Sequence, residues 1–130
     1  MTKEFKHKVK VYYEDTDAGG VVYYANYLKF LERARSEAIY TIGLTNKKLL
    51  DENEIIILVK SCNIQYKKPV KFEDELEIVS KVISKSRTSF IMLQKIFIND
   101  LEVTEAEVHL VVVSKQGKPT EIPEVLNQLF

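Results

Sequence analysis

Cysteine is nearly absent: Cys62 is the only one in 130 residues. A lone thiol excludes an intrachain disulfide framework and a cysteine-based metal site, and it fits a reducing compartment. Neither sign of charge dominates, since 19 Lys and Arg balance 19 Asp and Glu. No global field therefore draws the chain to nucleic acid or to an anionic membrane. Apolar runs stop at about five residues, far short of a bilayer span, so no membrane insertion is expected. The stretch from Met1 to Lys8 is charged and lacks the apolar core of a secretory leader. Internal repeats, low-complexity segments and linkers are missing too. What these exclusions leave is an expected soluble, cytoplasmic protein, one domain over residues 1–130 and large enough to bury a core. A composition 45% hydrophobic and 29% charged agrees with that class.

What is present is organised around Val11–Tyr27. A β-rich segment stops at Asp15, and Asp15, Asp17, Gly19 and Gly20 follow within six residues. An amphipathic pattern then begins. A tight loop thus delivers two carboxylates to the start of a helix, whose free N–H groups and positive dipole suit a developing negative charge. An acid beside such a terminus is equipment for acyl transfer or hydrolysis.

Ahead of this loop, residues 5–13 alternate as a half-buried strand, with Lys6, Lys8 and Lys10 on one face and His7, Val9 and Val11 on the other. Behind it, Tyr27, Leu31, Ala34, Ala38 and Ile42 fall at helical spacing, Phe30 and Ile39 widen the stripe, and Gly43 is placed to end the helix. Residues 44–53 form a short second helix or a loop. Strands follow over residues 55–67, long or bent and halted by Pro69, then 75–84, 88–98 and 102–114, with Asn99-Asp100 as a hairpin turn. Pro123 opens a short C-terminal helix. The pattern is α+β: an antiparallel sheet of about five strands, the last four in meander, with one long helix. One helix covers one face of such a sheet. The other face is expected to bury its Val, Ile and Phe against a partner subunit, so an obligate oligomer is expected.

Several residues carry a further likeness. Tyr13-Glu14-Asp15-Thr16-Asp17, Gly20-Val21-Val22-Tyr23-Tyr24, Asn26-Tyr27 and Glu32-Arg33-Ala34-Arg35, with Ser61-Cys62-Asn63-Ile64 and Lys68-Pro69, resemble the hotdog-fold acyl-CoA thioesterases of the 4-hydroxybenzoyl-CoA thioesterase type. The chain is most similar to their bacterial Tol-Pal-associated, YbgC-like branch. The resemblance implies a sheet wrapped around a central helix, protomers paired edge to edge, dimers joined into a homotetramer, and active sites at the dimer interface. It implies that Asp17 acts as nucleophile or general base on the thioester, while the N–H of Tyr24 polarises its carbonyl. Many members of that branch carry His at the position of Tyr24. The substitution keeps a backbone N–H and loses a titrating imidazole.

The candidate site is therefore Asp17 and Tyr24 for chemistry, with Gly20, Val22, Tyr23, Lys60, Ser61 and Arg87 for substrate. Asp15 is expected to hold the turn through loop N–H groups. Basic residues should meet the phosphates of CoA, and Lys60, Lys67, Lys68, Lys71, Lys85 and Arg87 are the candidates. His109, in an apolar strand, is expected to be a core histidine. A thioester is already activated, so neither metal nor cofactor is expected beyond the CoA of the substrate. Three other readings remain open: an acyl carrier protein thioesterase, a non-catalytic acyl-binding or scaffolding dimer, and a hotdog hydratase. The hydratase would want a His on the central helix, and this helix has none.

Overall fold

The structure, a computed structural model, describes residues 3–130; Met1 and Thr2 of the charged N-terminal stretch lie outside it. Five strands form one antiparallel sheet: β1 (Phe5–Lys10), β2 (Ile55–Tyr66), β3 (Glu75–Lys85), β4 (Ser89–Ile98) and β5 (Leu101–Ser114). Two helices, α1 (Asn26–Thr41) and α2 (Asn46–Asn53), lie between β1 and β2. Short 3-10 turns occupy Tyr13–Asp15 and Glu124–Leu129.

The helix α1 lies where its apolar stripe directs it. Tyr27, Phe30, Leu31, Ala34, Ala38 and Ile39 are buried against the sheet, the two alanines allowing close approach. It ends in a Schellman arrangement. Gly43, at φ 86°, donates its N–H to Tyr40 O at 2.9 Å, and Leu44 donates to Ile39 O at 3.2 Å. Thr45 caps α2 by accepting the Lys48 N–H at 3.0 Å. Asn99 and Asp100, at φ 47° and 66°, make the tight β4–β5 turn that their left-handed tolerance allows. Pro123 caps the C-terminal turn from outside instead of starting it.

The strand order is β1-β3-β4-β5-β2. Only β3, β4 and β5 form a meander, which corrects the expected run of four. The β3 edge is taken by β1, paired from Phe5↔Ser80 to Lys10↔Glu75, so β2 crosses to the far edge and pairs with β5. A bulge between Val59 and Ser61 bends β2 at Lys60. Residues 67–74 carry the chain back across, pinned where the N–H groups of Lys67 and Lys68 both donate to Val103 O.

The inner face of the sheet, including Ile78, Met92, Ile96, Ala106 and Val108, packs into the α1 side of the core. The outer face is not the apolar surface expected. Val79, Leu93 and Phe97 are half-buried there among Glu77, Lys81, Glu107 and His109. Lys95 holds Glu102 at 3.1 Å and Glu105 at 3.6 Å, and Lys67 joins the same two carboxylates. His109 is thus an outer-face residue opposite Ser61 and Ile91, not a core histidine. Strand alternation decides this: Val108 and Leu110 take the inward positions.

Candidate active site

The loop after β1 folds into a miniature hairpin. Thr16 and Val22 form an isolated antiparallel bridge, and Asp17 donates its backbone N–H to Val21 O at 2.9 Å. Gly20 closes the turn by donating to Asp17 O at 3.0 Å. Its φ of 77° is the left-handed position that ends a three-residue hairpin loop. Asp17 therefore sits at the tip, exposed, with Oδ1 accepting the Gly19 N–H at 2.8 Å. A Cβ on Gly19 would come within 3.2 Å of that oxygen.

Asp15 sits beneath the tip and is buried. Its Oδ2 accepts the Tyr12 N–H at 2.9 Å, so this acid is spent on holding the turn. Its carbonyl accepts the Tyr23 N–H and the side-chain amide of Asn26, the first residue of α1. The crossover segment clamps the other side, where Val22 donates to Val70 O at 2.7 Å and Phe72 to Gly20 O at 3.1 Å. Tyr13 stacks on Phe72 with ring centres 3.9 Å apart. The hairpin is thus fastened to α1 and to the crossover at once.

Between hairpin and helix runs Tyr23-Tyr24-Ala25. The carbonyl oxygens of Tyr23 and Tyr24 already accept from Asn26 and Tyr27, as in a first helical turn. Among the described residues no oxygen accepts the N–H of Tyr24. Both rings are exposed, 4.9 Å apart, and the Tyr24 hydroxyl raises the pKa of the Tyr23 phenol above its ordinary value. Tyr27 packs edge-on to Tyr66 at 5.0 Å, and burial pushes its phenol pKa up. So an exposed carboxylate, an unpartnered N–H and a helix start lie on one short stretch of chain.

The remaining candidates do not face the exposed tip. Val22 is buried in the core. Lys60 and Ser61 are exposed at the β2 bulge, halfway along an edge strand. Arg87, exposed in the β3–β4 turn, stands at the other end of β3 from the hairpin, on the order of 30 Å away at the usual rise per residue. A single protomer does not bring Arg87 to Asp17. Cys62 is half-buried on β2, and burial pushes its thiol pKa up, away from nucleophilic use. Among the described residues no group of three or more His, Cys, Asp and Glu is placed to hold a metal ion, and no helix is long and apolar enough to cross a membrane.

Residues 11–130 match the family model described as the thioesterase-like superfamily. The chain belongs to that family. The acyl-CoA thioesterase YbgC of Haemophilus influenzae is 37% identical over 127 residues, covering 97% of this chain and 93% of that one. The crystal structure of a probable thioesterase from Bartonella henselae superposes with a TM-score of 0.89 at 30% identity, covering 93% of this chain and 100% of that one. The 4-hydroxybenzoyl-CoA thioesterase of Pseudomonas sp. strain CBS-3, at 21% identity and a TM-score of 0.88, covers 98% of this chain and 99% of that one and shares the hotdog fold. Membership of the thioesterase-like superfamily makes a thioester hydrolase of the α+β hotdog class the frame for Asp17 and Tyr24.

One pair escaped the sequence reading within this family framework. Arg35 on α1 donates Nη1 to Gln94 Oε1 at 3.1 Å beneath the helix. The available signal was a lone amide at an inward strand position, between Met92 and Ile96.

Proposed function

We propose that this chain hydrolyses acyl-CoA thioesters to a free acid and CoA. Asp17 is the nucleophile or general base, and the N–H of Tyr24 stabilises the oxyanion. The observation carrying this reading is the hairpin that presents an exposed Asp17 carboxylate seven residues before the unpartnered N–H of Tyr24, at the entrance to α1. In the general-base form, Asp17 takes a proton from water as its oxygen attacks the thioester carbon. The carbonyl electron pair moves onto the oxygen facing the Tyr24 N–H. Collapse breaks the C–S bond, and the thiolate of CoA leaves with the proton. One oxyanion donor of this kind is worth about 3 kcal/mol. This chemistry requires no metal or further cofactor.

The two sheet edges differ in a way that supports a second copy. The outer edge β1 exposes Lys6, Lys8 and Lys10, which guard it against pairing. The β2 edge exposes Ile56, Leu58, Val59 and Tyr66. A two-fold axis through the middle of β2 would turn the partner end for end. That brings the end of the sheet bearing Arg87 in one protomer to the same height along the strands as the Asp17 end of the other, and Arg87 is the cation this reading assigns to the CoA phosphates. Gly20, Tyr23, Lys60 and Ser61 then line the approach, and further pairing of such dimers gives a homotetramer. A cytoplasmic location and a single domain over 1–130 accompany this reading.

The test is CoA release from a panel of short, long and aromatic acyl-CoAs by wild type and by Asp17→Asn. Hydrolysis that collapses in a folded Asp17→Asn variant supports the assignment. Full activity in the variant removes Asp17 from the chemistry. A wild type inert to every acyl-CoA, but active on an acyl carrier protein thioester, moves the substrate to that carrier.

A further inference from the structure

Among the described residues Tyr13 is the most exposed of the large apolar side chains, at 77%. A ring that served packing alone would be covered, as that of Tyr27 is. Phe72 supports Tyr13 from one side, with ring centres 3.9 Å apart and planes 17° from parallel, so the other face is free. Phe72 is fixed in turn. Its N–H donates to Gly20 O at 3.1 Å, and the next N–H, of Glu73, donates to Val11 O at 2.9 Å. The pair is a flat aromatic surface set in place before any ligand arrives, which lowers the ordering cost of binding. Such a surface recognises a planar π-system by stacking, without hydrogen-bond readout.

This surface belongs to the hairpin that carries Asp17. Four residues of chain lead from Tyr13 to Asp17, at most about 14 Å when extended. The 3-10 turn shortens that path, since Thr16 donates its N–H to Tyr13 O at 3.1 Å. The pantetheine arm of CoA is long and flexible enough to join a thioester at Asp17 to a base at Tyr13. Charge selects which part of the nucleotide rests there. Glu14 and Glu73, next in the chain to Tyr13 and Phe72, are exposed and repel a phosphate. Lys68 and Lys71, on the crossover before Phe72, are exposed and join no ion pair among the described residues. A neutral base on the ring, with its ribose phosphate turned to these lysines, meets both conditions. The diphosphate is left to Arg87 of the other protomer.

We propose that Tyr13, backed by Phe72, is the stacking platform for the adenine ring of CoA. The site then reads the nucleotide end of its substrate and favours CoA thioesters over carriers that present pantetheine without a nucleotide. This rests on the thioesterase reading above, and the experiment separates the two.

Wild type, Tyr13→Ala and Tyr13→Phe are compared on the CoA and pantetheine thioesters of one acyl group, the best from the panel above. Calorimetry of each protein with free CoA and free pantetheine accompanies the kinetics. The expected result is a kcat/KM ratio favouring the CoA thioester in wild type, lowered roughly tenfold or more by Tyr13→Ala through KM and kept by Tyr13→Phe. The ratio is the readout because a loosened hairpin lowers both substrates alike. Free CoA binds wild type and Tyr13→Phe more tightly than Tyr13→Ala by a similar factor. An unchanged ratio in folded Tyr13→Ala overturns the proposal, and so does a wild type that turns over both thioesters equally. CoA binding that depends on Tyr13, in a protein inert to every thioester, keeps the platform and removes the hydrolase. Hydrolysis without Tyr13-dependent CoA binding keeps the hydrolase and removes the platform. Should Tyr13→Ala not fold, Tyr13→Leu, which fills the space with a non-planar side chain, takes its place.

Discussion

Asn26 reaches back across 11 residues to donate its side-chain amide to the carbonyl oxygen of Asp15, at 2.8 Å and out of contact with solvent. It is the first residue of α1, yet it does not cap the helix; it ties the helix start to the turn that carries Asp17. Replacing Asn26 with Ala should cost about 1–3 kcal/mol of stability through the lost buried hydrogen bond. Activity should fall further than the folded fraction does, because the start of α1 is then no longer tied to the turn that carries Asp17. Urea unfolding and kcat, measured on the same samples, would separate the two effects.

The two glycines of the hairpin should fail differently. Gly20→Ala meets open space but forces a left-handed backbone on alanine, costing about 1–2 kcal/mol of stability. Gly19→Ala presses a methyl on Asp17 Oδ1, so it should lower kcat with a smaller change in Tm. Equal losses of Tm from both would contradict this division.

Tyr24 offers a hydroxyl and an N–H, and only the second has a role in the proposed chemistry. Tyr24→Phe should stay within a few-fold of wild type. Tyr24→Pro, which removes the donor just before the helix, should lose about 10²–10³ in kcat. A kcat collapse in Tyr24→Phe would transfer the role to the phenol.

On the outer face, Lys67 and then Lys95 hold the Glu102 carboxyl below its ordinary pKa. A depressed carboxylate contributes stability that is present above its unfolded value near 4.5 and is lost as pH falls through the folded value. Lys95 is raised by the same Glu102, so its share is present below its unfolded value of 10.5 and is lost as pH climbs through the folded one. Glu102→Gln should therefore flatten the loss of urea midpoint below about pH 4.5 and shrink its salt dependence. The gain is small because these side chains are partly solvated. Parallel pH profiles for wild type and variant would contradict it.

Much of this was legible from local pattern. The α1 stripe, Gly43, the Asn99-Asp100 turn and the extents of the long strands follow from periodicity and turn chemistry, which act over a few residues. The crossing of β2 to the far edge was not legible, because it depends on β1 already holding β3 from Phe5 to Lys10. His109 was misread for a related reason: its face is set by strand register, and neighbouring apolar residues on both sides conceal it. At the site, Asp17 and the glycines announced a tight turn. The clamp from Val70 to Phe72 and the Arg35–Gln94 contact join residues far apart in the chain, and no spacing rule reports those.

The fastening of Val22 to Val70 has a consequence for how the protein is made. The hairpin draws its support from a segment that leaves the ribosome only after both helices and β2. Closing so long a loop costs entropy that local contacts do not return. The helix can form early, but Asp17 has no fixed address until the crossover arrives and docks. Catalytic competence should therefore appear late in refolding, after most helical signal has returned.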